Sequence, residues 1–176
     1  IVAILSSAIA IGNNFQVAIM APTEILARQH YLSFIGQMNK AKVTCALLIG
    51  NMKKKERTSI ISGIKSNKIQ IIIGTHALIQ EDVKFKKLNL VIIDEQHRFG
   101  VNQRASLVAK GENPNFLAMT ATPIPRTLSI TYNGDMELSI IDELPLNRIP
   151  ITTKVINPDR LKRVYSFMEK QFNEGK

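Results

Sequence analysis

The sequence predicts an α/β protein built on a parallel sheet with helices on both faces. Short apolar runs alternate along the chain with longer amphipathic stretches, the pattern of strands joined by crossover helices. The runs are almost continuous Val, Ile, Leu and Ala without alternating polar residues, so both faces of the sheet should be covered. A chain of 176 residues fits one domain, or one domain and the start of another.

The predicted elements follow one another in a regular order. The apolar opening stretch, residues 1–11, lacks the basic leader of a signal peptide and is expected to be a buried helix. The predicted strands are 15–22, 43–50, 69–75, 88–95 and 115–122. Further helices are expected from a Thr23 cap toward Gly36, from Lys53–Lys55 to Ser66, and from Pro123 to about Tyr132.

The pattern changes at Ile141, where Pro145 and Pro150 are typical of an extended linker. A strand over 151–156 and a helix from about Pro158 to Phe172 are predicted to follow. We therefore expect a first domain over residues 1–142, a linker over 143–150 and the start of a second domain over 151–176.

The composition restricts the possible functions. Lys and Arg exceed Asp and Glu by 23 to 14, a net charge of +9, which favours polyanionic partners such as nucleic acid, although a solvated basic surface is the alternative. No apolar run approaches the roughly 20 residues of a membrane span. The single cysteine, Cys45, excludes a disulfide or zinc site within the chain and is interpreted as a small apolar strand residue.

Two adjacent carboxylates, Asp94 and Glu95, end the apolar strand in VIIDEQHR. Adjacent acids at the end of a buried strand are costly unless a positive group lies nearby. A magnesium ion on nucleotide phosphates would supply that charge, with Asp94 holding the metal through water and Glu95 positioning or deprotonating the attacking water. A charged helix cap is the alternative interpretation.

A second polar strand end follows in FLAMTATPIPR, where Thr120 and Thr122 flank Ala121. The predicted strand lies beside the one that carries the acids, so these hydroxyls can hydrogen-bond with His97 or Glu95 and respond to bound phosphate. A strand-to-helix turn with a Thr cap explains the same residues.

Two further strand ends, in APTEILARQH and GTHALIQ, place small and hydroxyl residues before a predicted helix start. Backbone N–H groups at such a start can bind a nucleic-acid phosphate without reading base sequence. Thr23 and Thr75 can equally be ordinary helix caps, and His76 an ordinary surface histidine.

These segments occur in the order and spacing of the superfamily 2 helicase motifs Ia, Ib, II and III, and the resemblance covers nearly the whole chain. GTHALIQEDVKFKKLNLVIIDEQHRFGVNQR, TATPIPRTL and IDELPLNRIPI closely resemble RecG-type helicases. Transcription-repair coupling factors share part of this pattern but typically carry a Glu-Gln-Arg arrangement after the first two acids. The tetrad here is Asp94, Glu95, Gln96 and His97, which favours the RecG type.

The resemblance implies a RecA-like motor domain that lacks its first strand and phosphate-binding loop. It implies an ATP-dependent DNA helicase of bacterial, cytoplasmic, nucleoid-associated type that uses ATP and Mg²⁺ to remodel stalled forks and Holliday junctions in recombination and repair. It implies neither a membrane nor a stable protein partner.

The resemblance also implies roles for individual residues. Asp94 would coordinate magnesium, Glu95 would activate water, and Gln96 and His97 would couple hydrolysis to the hydroxyl motif Thr120, Ala121 and Thr122. Arg126 would help to connect the nucleotide site to DNA, with an ordinary solvated helix residue as the alternative. The DNA backbone would be contacted by Pro22, Thr23, Gly74, Thr75 and His76.

The phosphate-binding loop G-x-x-x-x-G-K-[ST] does not occur in the sequence; in the family it precedes the helix that begins here at Ile1. Because that loop supplies the backbone cradle and the lysine for the phosphates, we expect this segment alone to bind ATP poorly and not to hydrolyse it. A fragment of a longer protein explains the missing loop. A degenerate domain, or a non-catalytic nucleic-acid-binding module, is the alternative.

Overall fold

A five-stranded parallel sheet with strand order β2-β3-β1-β4-β5 forms the centre of the first part of the chain. The computed structural model describes residues 1–38, 41–121, 136–143 and 151–175. The chain divides into two units, Ile1–Pro125 and Arg126–Lys176. The strands of the first unit are β1 Gln16–Met20, β2 Cys45–Leu48, β3 Ile71–Gly74, β4 Leu88–Asp94 and β5 Asn115–Met119.

Helix α1, Val2–Gly12, precedes β1. Three further helices connect strands: α2 Glu24–Met38 joins β1 to β2, α3 Lys54–Lys65 joins β2 to β3, and α4 Val101–Val108 joins β4 to β5. Short 3-10 turns follow β3 at His76–Ile79 and β4 at Gln96–Arg98. Parallel neighbouring strands require crossover connections, and buried residues of these helices pack against the sheet. The predicted α/β fold is confirmed.

Successive residues of the central strands enter two separate cores. Ala18 and Ile72 belong to one buried cluster with Ile64 of α3 and Leu107 of α4. Their neighbours Val17 and Ile71 belong to the other, which contains Ala3 and Ala10 of α1 and Ala27, Phe34 and Met38 of α2. Since alternate strand residues point to opposite faces, the continuous apolar runs correctly predicted a sheet covered on both sides.

Two helix starts agree with the sequence. The backbone N–H of Leu26 donates to Thr23 Oγ1 at 3.3 Å, the bond expected of a Thr cap. Helix α3 follows Lys53 and ends at Lys65, with Ser66 as its C-terminal cap. The helix predicted from Pro123 lies outside the described residues.

Two local predictions were wrong. Helix α1 is not buried all round, because it packs on the sheet through the small residues Ala3, Ser7 and Ala10, leaving Leu5 58% and Ile9 69% exposed. Residues 151–156 form no strand, since no described strand of the second unit supplies the neighbour that inter-strand hydrogen bonds require. The predicted helix that follows is present as α5, Leu161–Asn173. The domain boundaries stay a prediction.

A buried glutamine fastens the edge of the sheet where β1 and β4 begin. Gln16 is 1% exposed. Its Nε2 donates to the carbonyls of Ile64 and Ile69, both at 2.8 Å. Its Oε1 accepts from the backbone N–H groups of Lys86 and Lys87 at 2.9 and 3.0 Å. One side chain thus joins the end of α3, the approach to β3 and the approach to β4.

The thiol of Cys45 should react slowly in the folded protein. Burial raises its pKa to about 11, because desolvation disfavours the thiolate. At pH 8 the thiolate fraction is then about 100-fold below that of an ordinary cysteine, and alkylation by iodoacetamide should be slowed by a similar factor. The rate should rise with pH up to about 11. Alkylation at pH 8 as fast in the native as in the urea-unfolded protein would contradict this.

Candidate functional site: the carboxyl edge of the sheet

The acidic motif lies where β4 ends. Asp94 is the last residue of this strand, and Glu95 has a left-handed backbone with φ 50 and ψ 53. Residues other than glycine rarely adopt the left-handed region, and such backbone strain concentrates at functional sites. The turn at Glu95 redirects the chain from the strand into the short turn Gln96–Arg98.

Glu95 meets the hydroxyl motif of β5. Strand β5 pairs with β4 so that Met119 lies opposite Asp94, which places the next residue, Thr120, beside Glu95. Thr120 Oγ1 donates to Glu95 Oε2 at 3.1 Å. His97 Nδ1 lies 3.4 Å from the same carboxylate oxygen and 3.5 Å from Thr120 Oγ1. Thr120 therefore bonds with Glu95, one of the two partners that the sequence allowed, and the coupling role of these residues stays a prediction.

Asp94 contacts a residue to which the sequence assigned no role. His30 of α2 lies with Nε2 2.7 Å from Asp94 Oδ2, and the two side chains are 26% and 19% exposed. The available signal was the helical spacing of His30 from Ala27 and Phe34, which places it on the buried face of α2. Only the sheet order, which the sequence did not predict, puts that face next to the end of β4.

Only two of the four remaining residues of the predicted ATP site lie within the described part of the chain. Gln96 is partly exposed at the start of its turn, and Ala121 is exposed after β5. Thr122 and Arg126 lie outside the described residues, so their predicted roles stay predictions.

The predicted DNA contacts come from β1 and β3, which are neighbours in the sheet with Met20 opposite Gly74. The N–H of Ala21 donates to the Gly74 carbonyl at 2.9 Å, which fixes the two strand ends side by side. Thr23 and His76 are exposed and Pro22 is partly exposed. The two predicted clusters therefore share the carboxyl edge of one sheet.

Gly74 and Thr75 differ from these residues because both are buried. A Cβ at Gly74 would lie 2.1 Å from the Leu48 carbonyl oxygen, so a larger residue does not fit there. Thr75 is 2% exposed, and among the described residues its hydroxyl has no hydrogen-bond partner. Gly74 and Thr75 shape the turn that presents His76, and neither residue is exposed.

Two cations hold the loop that follows this turn. Arg57 of α3 donates to Asp82 at 2.8 and 2.9 Å and to Gln80 at 2.9 Å. Lys110 Nζ donates to the carbonyls of Gln80 and Val83, both at 2.8 Å. Burial is the main cause that lowers the Lys110 pKa, partly opposed by Asp82 and Glu81. These hydrogen bonds hold the loop that directly follows the turn containing His76.

The donor set at the acidic edge fits magnesium. Among the described residues, no group of three or more His, Cys, Asp or Glu side chains is arranged to enclose a metal ion. Mg²⁺ is commonly held by one or two carboxylates, with waters and substrate phosphates completing its shell. Asp94, with one oxygen bonded to His30, can supply one such carboxylate contact, with waters and phosphates supplying the other ligands. No helix within the described ranges has the length and apolar character needed to cross a membrane.

Comparison with known proteins agrees with this arrangement. The DEAD/DEAH box helicase family matches residues 1–131. The ATP-dependent DNA helicase RecG of Bacillus subtilis is 49% identical over 167 residues, 95% of this chain and 24% of that protein. RecG of Haemophilus influenzae is 51% identical over 164 residues, 91% of this chain and 24% of that protein.

A solved structure of RecG bound to a three-way DNA junction superposes with a TM-score of 0.74 and 45% identity, covering 92% of this chain and 21% of that one. The chain spans about a quarter of the length of these curated relatives. The matched family, the sequence identity and the shared sheet lead to one conclusion: this chain belongs to the DEAD/DEAH box helicase family and is a homologue of the RecG helicases.

Proposed function

We propose that this segment forms one wall of the ATP site and part of the DNA track of an ATP-driven helicase that remodels branched DNA. The observation that carries the proposal is the Thr120–Glu95 hydrogen bond of 3.1 Å, immediately beside Asp94 at the carboxyl edge of the sheet. In open parallel sheets this edge is where ligands bind.

The ATP chemistry is assigned to the acidic cluster. Asp94 would hold Mg²⁺ through water, and the ion would supply positive charge that neutralises the nucleotide phosphates. Glu95 accepts a proton from the attacking water. Gln96 and His97 link Glu95 to the hydroxyl motif of Thr120, Ala121 and Thr122, and Arg126 extends that link toward DNA.

The DNA contacts are assigned to the ends of β1 and β3. Thr23 and His76 offer exposed polar groups to the phosphate backbone and Pro22 lies beside them, while Gly74 and Thr75 set the shape of the turn. Phosphate contacts fix position without reading sequence. The net charge of +9 favours such a partner over a neutral one.

Branched DNA is proposed as the substrate because the RecG structure that this chain resembles is bound to a three-way junction. Remodelling of stalled forks and Holliday junctions during recombination and repair, in the bacterial cytoplasm and nucleoid, belongs to the same proposal. So does the division into a first motor domain over 1–142, a linker over 143–150 and a second motor domain starting at 151.

The test uses the full-length helicase that carries this segment. ATP hydrolysis should be stimulated by a three-way junction more than by a linear duplex of equal length. Junction affinity should fall steeply between 50 and 200 mM salt, on the order of 10-fold or more, because phosphate contacts release counterions. Junction binding with no measurable ATP hydrolysis would favour the non-catalytic binding module instead, and salt-insensitive binding would contradict the assigned DNA contacts.

A further inference from the structure

Helix α2 carries a histidine that reaches the acidic end of β4. His30 is three residues after Ala27 and four before Phe34, both buried against the sheet. Side chains at these spacings lie on one face of a helix. His30 therefore lies on the face of α2 that packs against the sheet, and its ring reaches Asp94.

The hydrogen bond between His30 and Asp94 uses one of the two carboxylate oxygens of Asp94. A carboxylate oxygen accepts hydrogen bonds, so His30 Nε2–H donates to Asp94 Oδ2 over 2.7 Å. Because His30 holds Oδ2, Oδ1 is the oxygen that the described residues leave for another ligand. The side chains of His30 and Asp94 are largely shielded, at 26% and 19% exposure, so water competes weakly for this bond.

We propose that His30 is a positioning residue that orients Asp94 toward the magnesium ion of the ATP complex. This inference rests on the proposed function, since it assumes that Asp94 holds the metal ion through water. Ligating carboxylates are themselves commonly held by hydrogen bonds, and loss of such a partner typically weakens metal affinity about 10- to 100-fold. A merely structural ion pair would instead affect the stability of the fold and leave metal affinity unchanged.

The test measures magnesium binding directly in the full-length helicase. A fluorescent, non-hydrolysable ATP analogue is held at a fixed concentration while MgCl₂ is titrated, and binding without metal is measured in EDTA. His30→Leu removes the donor. His30→Asn keeps a polar amide that is too short to reach Oδ2, and His30→Gln keeps a donor near the position of Nε2. Gln37→Leu, an exposed change on the same helix, is the matched control.

His30→Leu and His30→Asn should weaken the apparent affinity for Mg²⁺ by about 10- to 100-fold, with analogue binding in EDTA unchanged. His30→Gln should recover most of the loss, and Gln37→Leu should behave as wild type. If the leucine variant does not fold, the asparagine and glutamine variants still decide the question, because they differ in reach and both are polar.

Asp94→Asn separates this inference from the proposed function. Should Asp94→Asn weaken magnesium binding while both His30→Leu and His30→Asn leave it unchanged, His30 does not position the ligand and the assigned ATP site stands. Should Asp94→Asn also leave magnesium binding unchanged, the metal assignment itself fails. Equal losses of magnesium binding in His30→Asn and His30→Gln would likewise overturn the role of the Nε2 donor.

Discussion

Glu95→Gln is expected to lower the DNA-stimulated kcat of the full-length helicase by about 10²- to 10⁴-fold, the range contributed by a positioned general base. The amide has the same shape and can still accept the Thr120 hydrogen bond now made at 3.1 Å, so the local geometry should persist. It cannot take a proton from water. Steady-state ATP hydrolysis with and without a DNA junction gives the measurement.

Binding of nucleotide separates a chemical effect from a structural one. The affinity of Glu95→Gln for a non-hydrolysable ATP analogue should stay within about 3-fold of wild type, since the base acts mainly in the transition state. Glu112→Gln makes the same chemical change at an exposed position in the turn before β5 and should leave both quantities unaltered. A Glu95→Gln rate near that of wild type would show that another group activates the water.

Gln16→Leu is expected to destabilise this domain by roughly 3–5 kcal/mol. The change removes four hydrogen bonds, each worth about 1 kcal/mol net, and leaves partly buried backbone groups of Lys86, Lys87 and Ile69 without that partner. The Ile64 carbonyl keeps its bond from the Asn67 N–H, which limits the cost. Leucine is close in size, so the loss of packing is small.

The measurement combines the thermal transition of the domain with hydrogen exchange of the segment that begins β4. Gln16→Leu should lower the melting temperature and speed exchange at the Lys86 and Lys87 amides, whereas Gln37→Leu on the exposed face of α2 should do neither. Unchanged exchange at these two amides would mean that the Gln16 side chain does not hold the strand in solution.

The sequence predicted most of the strands because burial on both faces of the sheet requires continuous apolar runs. Strands β1 and β3 are buried along their whole length, so their apolar runs identify them without any knowledge of pairing. The position of the site was also predictable, because polar residues that follow such runs must gather at the carboxyl edge. The order of the strands does not follow from any single run.

What the sequence missed depends on that order and on three-dimensional neighbours. His30 contacts Asp94 across 64 positions of the chain, and local spacing indicates only that His30 faces inward. Gln16 looks like a polar residue at the start of a strand, and its four partners come from three different segments. Thr75 resembles an ordinary helix cap in sequence, and it does occupy the N-cap position of the turn His76–Ile79, but its side chain is buried and makes no cap hydrogen bond.

The account depends on Asp94 and Glu95 facing a metal-bound triphosphate. A structure of the full-length helicase with a non-hydrolysable ATP analogue and Mn²⁺ in place of Mg²⁺ would locate the ion by its anomalous signal. We expect the ion to contact Asp94 Oδ1 through a water molecule, with Glu95 beside the terminal phosphate and still bonded to Thr120. An ion bound away from Asp94, with both carboxylates turned from the nucleotide, would contradict the assignment.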